Sequence, residues 1–155
     1  FDNAETILFK RVTQHVIPEK FRKKIFDKML KKFVKINEKN LAKNMYFTKR
    51  QAKEMYNNGM IFGNHCHDHL WLEKENQKEQ NYQINQGLKF LKSIGMKLND
   101  WIMCYPYGSY NKSTIRILKN KHCLLGLTST NRAYNFKKDS NFEIPRIDCN
   151  NVFEY

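Results

Sequence analysis

Gly63-Asn64-His65-Cys66-His67-Asp68-His69-Leu70-Trp71-Leu72 is the stretch on which the reading of this chain turns. It places three imidazoles and a carboxylate within five positions. Those side chains, so spaced, are what a zinc or other transition-metal site needs. Apolar Met60-Ile61-Phe62 leads into the stretch, and Gly63 lets the backbone turn with no Cβ in the way. The expectation is a buried strand whose exit loop presents His65 and His69. Two familiar zinc signatures share the H-x-x-x-H spacing and fit poorly. One needs Glu straight after the first His, where Cys66 stands; the other needs Glu straight before the second, where Asp68 stands. On these residues alone, metal ligands and histidines that bind nothing both stay open.

Outward from this loop the chain alternates strand and helix patterns. Upstream, Thr48 with Gln51 makes a capping-box pattern for a helix that Asn57-Asn58-Gly59 stops. Downstream, Leu72 to Gly95 reads as one long helix with Ile84, Leu88, Leu91 and Ile94 on one face and Gly95 closing it. Trp101 to Tyr105 reads as a buried strand stopped by Pro106 and Gly108. Asn111 to Lys119 is a short helix, and Leu124 to Thr128 the next strand. A polar loop then runs to Asn141, followed by Glu143 to Asp148. Strands alternating with helices predict an α/β fold with a parallel sheet. In such folds chemistry gathers at the C-terminal ends of strands. His65 to His69, Tyr105 to Tyr110, and Arg146 with Asp148 all occupy such ends.

The part before residue 48 has a different character. Asn3 to His15 reads as a helix, and after Pro18 a second helix repeats Phe21, Ile25, Met29 and Phe33 every four residues. Core packing is the expected role of that stripe, with a membrane surface as the lesser alternative for a basic amphipathic helix. The organisation predicted is residues 1–47 as a helical insertion and 48–155 as the α/β part.

At 155 residues there is one domain's worth of chain. It begins at Phe1 and reads as a fragment or processed product. No run is apolar enough to span a membrane. Lys and Arg number 28 against 15 acidic residues, a formal charge of +13. The lysines are scattered and no nucleic-acid signature accompanies them, so no specific nucleic-acid partner is expected. Cys66, Cys104, Cys123 and Cys149 form no C-x-x-C pair and no disulfide scaffold, so reduced thiols in a cytoplasmic protein are the expectation.

Gly63-Asn64-His65-x-x-x-His69, Tyr105-Pro106-Tyr107-Gly108-Ser109-Tyr110-Asn111, Gly126-Leu127-Thr128 and Pro145-Arg146-Ile147-Asp148, in that order, resemble the polysaccharide deacetylase family. The resemblance covers about Thr48 to Asn150. It implies a partial, distorted β/α barrel with an N-terminal helical insertion. It also implies a metal-dependent hydrolase that removes N-acetyl groups from the amino sugars of a polysaccharide or surface-glycan precursor. His65 and His69 match the two His ligands of a divalent metal, with zinc preferred. Tyr107 would supply a backbone N–H to the oxyanion, and Tyr105, Pro106 and Tyr107 would meet the sugar. Arg146 would orient the base carboxylate.

The sequence departs from that pattern in places. The family's strand ending Thr-Phe-Asp-Asp, which carries the third ligand and the base, is not found; Phe1-Asp2-Asn3 is its nearest remnant, and the first part of the barrel is expected upstream. Cys66 replaces the usual Ser or Thr, and Cys104 stands where an Arg is usual. No C-terminal His motif follows Asp148, so only His67 and His122 are spare candidates for a general acid. A non-catalytic carbohydrate-binding relative and a basic α/β binding module are the competing classes.

Overall fold

The computed structural model describes residues 2–34 and 37–150. The chain forms two compact units, 1–48 and 49–155. In the first, α1 (Ala4–Arg11) is capped by the Asn3 side chain, which accepts from the Thr6 N–H, and runs on as a wider π-type turn, Val12–Val16. Next come α2 (Glu19–Met29), continued by a second such turn (Leu30–Val34), and α3 (Glu38–Met45), capped by Asn37. Asp2 pairs with Lys10; Phe1, the other half of the remnant motif, lies outside the described residues. The apolar stripe on α2 does not form a core: Phe21 and Ile25 are exposed and Phe33 is 69% exposed. Periodicity predicted the helix, but a stripe is buried only where another apolar surface covers it.

The second unit opens with α4 (Lys49–Asn57), directly after Thr48. Its stop is as read: Gly59 takes φ +89, and the Met60 N–H returns to the Met55 carbonyl, which only a left-handed residue at 59 allows without strain. The predicted strand over Met60–Phe62 is corrected. Ile61 is 81% exposed and Met60 is exposed. Only Asn64 is bridged to the sheet, its N–H donating to the Ile102 carbonyl and its carbonyl accepting from the Cys104 N–H.

The sheet itself pairs β1 (Trp101–Cys104) with β2 (Cys123–Leu127) in parallel. Asn64 extends it beside Met103, and Ile144 extends it beside Leu127. The predicted long helix from Leu72 is also corrected. A tight turn at Leu72–Lys74 comes first, and α5 (Gln77–Ser93) starts anew where the Asn76 side chain accepts from the Glu79 N–H. Gly95 ends α5 with φ +99. The helix α6 (Lys112–Asn120) is opened by a capping box of Asn111 and Thr114.

Both helices cover one face of the sheet. Trp101, Met103 and Tyr105 alternate onto that face and pack with Ile84, Leu88 and Leu91 of α5 and Ile117 and Leu118 of α6. The period of two in the strand meets the i, i+4, i+7 stripe of the helix. Gln80, also buried, ties the layers: its Nε2 donates to the Leu72 and Glu75 carbonyls and its Oε1 accepts from Thr114 Oγ1 at 2.9 Å. No helix among the described residues is long and apolar enough to cross a membrane.

Candidate metal and sugar site

The histidine loop is fastened to α5 by two amides inside the protein. Asn64 is 1% exposed; its Nδ2 donates to the Ile84 carbonyl at 2.9 Å and its Oδ1 accepts from the Cys66 N–H at 2.9 Å. Gln83 is 0% exposed; its Oε1 accepts from the N–H groups of His67 and Asp68, and its Nε2 donates to Asp68 Oδ2 at 2.7 Å and Glu79 Oε1 at 2.9 Å. Buried backbone donors in an irregular loop need such partners.

Held this way, the loop brings His65 and His69 together, ring centroids 4.7 Å apart and edge to face. His65 Nδ1 lies 2.7 Å from the Cys104 carbonyl at the end of β1. A carbonyl only accepts, so Nδ1 carries a proton, and in the neutral ring the lone pair is then on Nε2, the usual tautomer of a metal-binding imidazole. Burial, and next the neighbouring His65, hold the His69 pKa below its ordinary value and favour the neutral ring. The donor set thus suits zinc in chemical type, with two imidazoles in ligand-competent form. Among the described residues no group of three His, Cys, Asp or Glu comes together.

Cys66 and Asp68 do not join the pair. The Cys66 side chain packs against the core, and burial pushes its thiol up to about 12, so it stays protonated. Asp68 turns to Gln83, with His67 3.9 Å away. His122 precedes β2, at the end of the sheet opposite to His65. Asp148 accepts from Asn150 and closes its own loop.

Tyr105 and Pro106, expected to meet the sugar, lie inside the protein. Tyr105 is 1% exposed, its ring stacks on Tyr110 and its hydroxyl donates to the Phe142 carbonyl at 2.8 Å; Pro106 is buried too. The alternation that puts Trp101 and Met103 in the core carries Tyr105 there as well. Tyr107 stands elsewhere. Its ring meets His69 edge-on at 4.5 Å and lies parallel on Trp71 at 4.5 Å and 6°. Sequence reasoning missed Trp71, whose one signal was a large aromatic two residues past His69. The turn around Tyr107 is clamped to the Trp71 segment, since the Glu73 N–H donates to Ser109 Oγ. Arg146 sits past the end of β2, its Nε donating to the Thr128 carbonyl at 2.8 Å.

Among the described residues, four other than glycine take positive φ: Cys66 (+64), His69 (+55), Tyr107 (+57) and His122 (+57). Three of them line the histidine loop and the tyrosine turn. Each such conformation costs on the order of 1 kcal/mol or more and persists where the surroundings over-determine it, which is typical of functional sites.

The polysaccharide deacetylase family model matches residues 12–123. That range includes His65, His69, Tyr105 and Tyr107, begins within the helical unit and stops before Arg146. The poly-beta-1,6-N-acetyl-D-glucosamine N-deacetylase of Staphylococcus epidermidis is 32% identical over 117 residues, 69% of this chain and 40% of its own length. Among solved structures, the Streptococcus pyogenes deacetylase PplD in complex with acetate superposes with a TM-score of 0.58 at 28% identity, covering 65% of this chain and 44% of that one. A de-N-acetylase from Aggregatibacter actinomycetemcomitans shares the fold, with a TM-score of 0.52 at 18% identity over 67% of this chain and 48% of its own. The chain therefore spans less than half the length of each of these three proteins.

Proposed function

The chain belongs to the polysaccharide deacetylase family, and on that premise we propose that it is part of a metal-dependent carbohydrate N-deacetylase, the C-terminal portion of a distorted β/α barrel. The substrate is an N-acetylated amino sugar of a polysaccharide or surface-glycan precursor. One observation carries the reading: His65 and His69 face each other at the C-terminal end of a parallel sheet, with His65 Nδ1 committed to a backbone carbonyl.

His65 and His69 would hold a divalent cation, zinc by preference, together with a carboxylate from elsewhere in the protein. When bound, the cation polarises the acetyl carbonyl and lowers the pKa of water. The residues of this chain do the rest of the positioning. The Cys104 carbonyl fixes the His65 tautomer. Tyr107, left-handed on its turn, offers a backbone N–H for the developing oxyanion; such a donor is typically worth about 3 kcal/mol. The paired rings of Tyr107 and Trp71 give the sugar an apolar wall beside His69, with Lys74 Nζ 5.0 Å over the indole. Arg146 orients the base carboxylate from the end of β2.

Deacetylation of N-acetylglucosamine oligomers by the full-length gene product tests this. His65→Ala and His69→Ala should each lower kcat/KM at least about a thousandfold, with the circular dichroism spectrum unchanged. Activity within tenfold of wild type in either variant refutes the assignment.

A further inference from the structure

The helical position that faces Asn64 is Gly87, and no larger residue fits there. A Cβ built on Gly87 would fall 2.6 Å from Asn64 Cγ and 2.8 Å from Nδ2, closer still to Oδ1, and nothing else is nearer. Glycine inside a helix is unfavourable by close to 1 kcal/mol against alanine, so its place in the middle of α5 has a structural reason. The Asn64 amide occupies the space a side chain would take. It cannot swing aside cheaply, because it is buried and bonded at both ends, to Ile84 and to Cys66.

His65 lies between the two residues this amide controls. On one side the Asn64 backbone is locked into the sheet through Ile102 and Cys104. On the other, the Cys66 N–H is drawn back onto Asn64 Oδ1, with Cys66 left-handed. The imidazole then falls on the same Cys104 whose N–H holds the Asn64 carbonyl. We infer that Asn64 and Gly87 form a matched pair of positioning residues: the amide seated in the glycine notch of α5 sets the backbone that delivers His65 Nδ1 to the Cys104 carbonyl beside His69. Its consequence for catalysis rests on the function proposed above; its geometry does not.

The test uses the full-length protein with Asn64→Ala, Gly87→Ala and the double variant. Three quantities are read: the thermal midpoint, the affinity for Co2+ followed by visible absorption, and the His65 Nδ1–H resonance in protein labelled with 15N-histidine. Gly87→Ala should lose the resonance, bind Co2+ at least tenfold more weakly and melt lower. Asn64→Ala should lose the resonance and the affinity. In the double variant the clash is gone, so the midpoint should recover above that of Gly87→Ala, while resonance and affinity stay lost. Recovery of stability without recovery of the site is the result a merely structural packing pair does not produce. Wild-type resonance and Co2+ affinity in the double variant, or in Gly87→Ala, overturn the inference. Should Gly87→Ala fail to fold, Asn64→Ala and the double variant decide alone. If wild-type protein neither binds Co2+ nor deacetylates, the proposed function fails, and the resonance pattern still decides the positioning role.

Discussion

Residues 2–48 and residues 49–150 carry apolar residues in similarly legible patterns, yet they use them differently. In the second unit the stripe of α5 meets the alternating face of β1, and Ile84, Leu91, Trp101 and Met103 are all buried. In the first, among the described residues, only Thr13 is buried, while Phe9, Phe21, Phe26 and Phe33 are exposed. The contrast teaches that periodicity specifies a helix and its apolar side but not what covers it. A sheet supplies a broad second surface; three short helices with wide terminal turns do not supply one by themselves.

Matched substitutions would break this comparison if it is wrong. Leu91→Ala opens a cavity between α5 and the sheet and should cost about 2–5 kcal/mol by denaturant unfolding. Gln83→Leu tests whether the buried amides count as much as the apolar core. It strips the His67 and Asp68 N–H groups of their acceptor and should cost about 2–3 kcal/mol, with deacetylation falling along with stability. A pH series sharpens the point for the loop itself. The His69 pKa is held below 6.5 by burial and by His65, so His69 should stay neutral and available to a metal somewhat below that pH. Its contribution to stability is fully present above the ordinary value and is lost as pH falls through the lowered one. Activity should accordingly decline with an apparent pKa below 6.5, by about tenfold per pH unit beyond it; a midpoint above 6.5 in the pH–rate profile contradicts the assignment. At the small end, Phe33→Ser in the first unit should change stability by no more than about 0.5 kcal/mol. A loss comparable to that of Leu91→Ala would mean that the stripe is covered after all.

Local signals carried much of the fold. Asn58-Gly59, Gly95 and Asn111 each marked a helix end because left-handed backbone and side-chain caps are short-range needs. Asn76 gives a weak signal as a new helix start because residues 73–81 are uniformly polar and contain no Gly or Pro to mark a break. Met60-Ile61-Phe62 forms no strand because strand pairing depends on a partner from elsewhere in the chain; the bridge to β1 is made at Asn64, while Phe62 packs on the core outside any strand. At the site, the spacing of His65 and His69 was readable. That Tyr105 lies in the core follows from alternation along β1, a rule available in the sequence; that Tyr107, two residues on, leaves that face for His69 and Trp71 follows from its left-handed turn past the end of the strand, which alternation does not announce.

By itself, then, the sequence determined most helix ends, the two paired strands, the imidazole pair and the ordered motifs of a polysaccharide deacetylase, because these depend on residue type and short spacing. Only the tertiary structure decided that Trp71 lies on Tyr107, that Cys104 orients His65, and that Gly87 makes room for Asn64. Each of those contacts joins residues far apart along the chain. Its geometry is set by how α5 and β1 pack, and no local pattern encodes that.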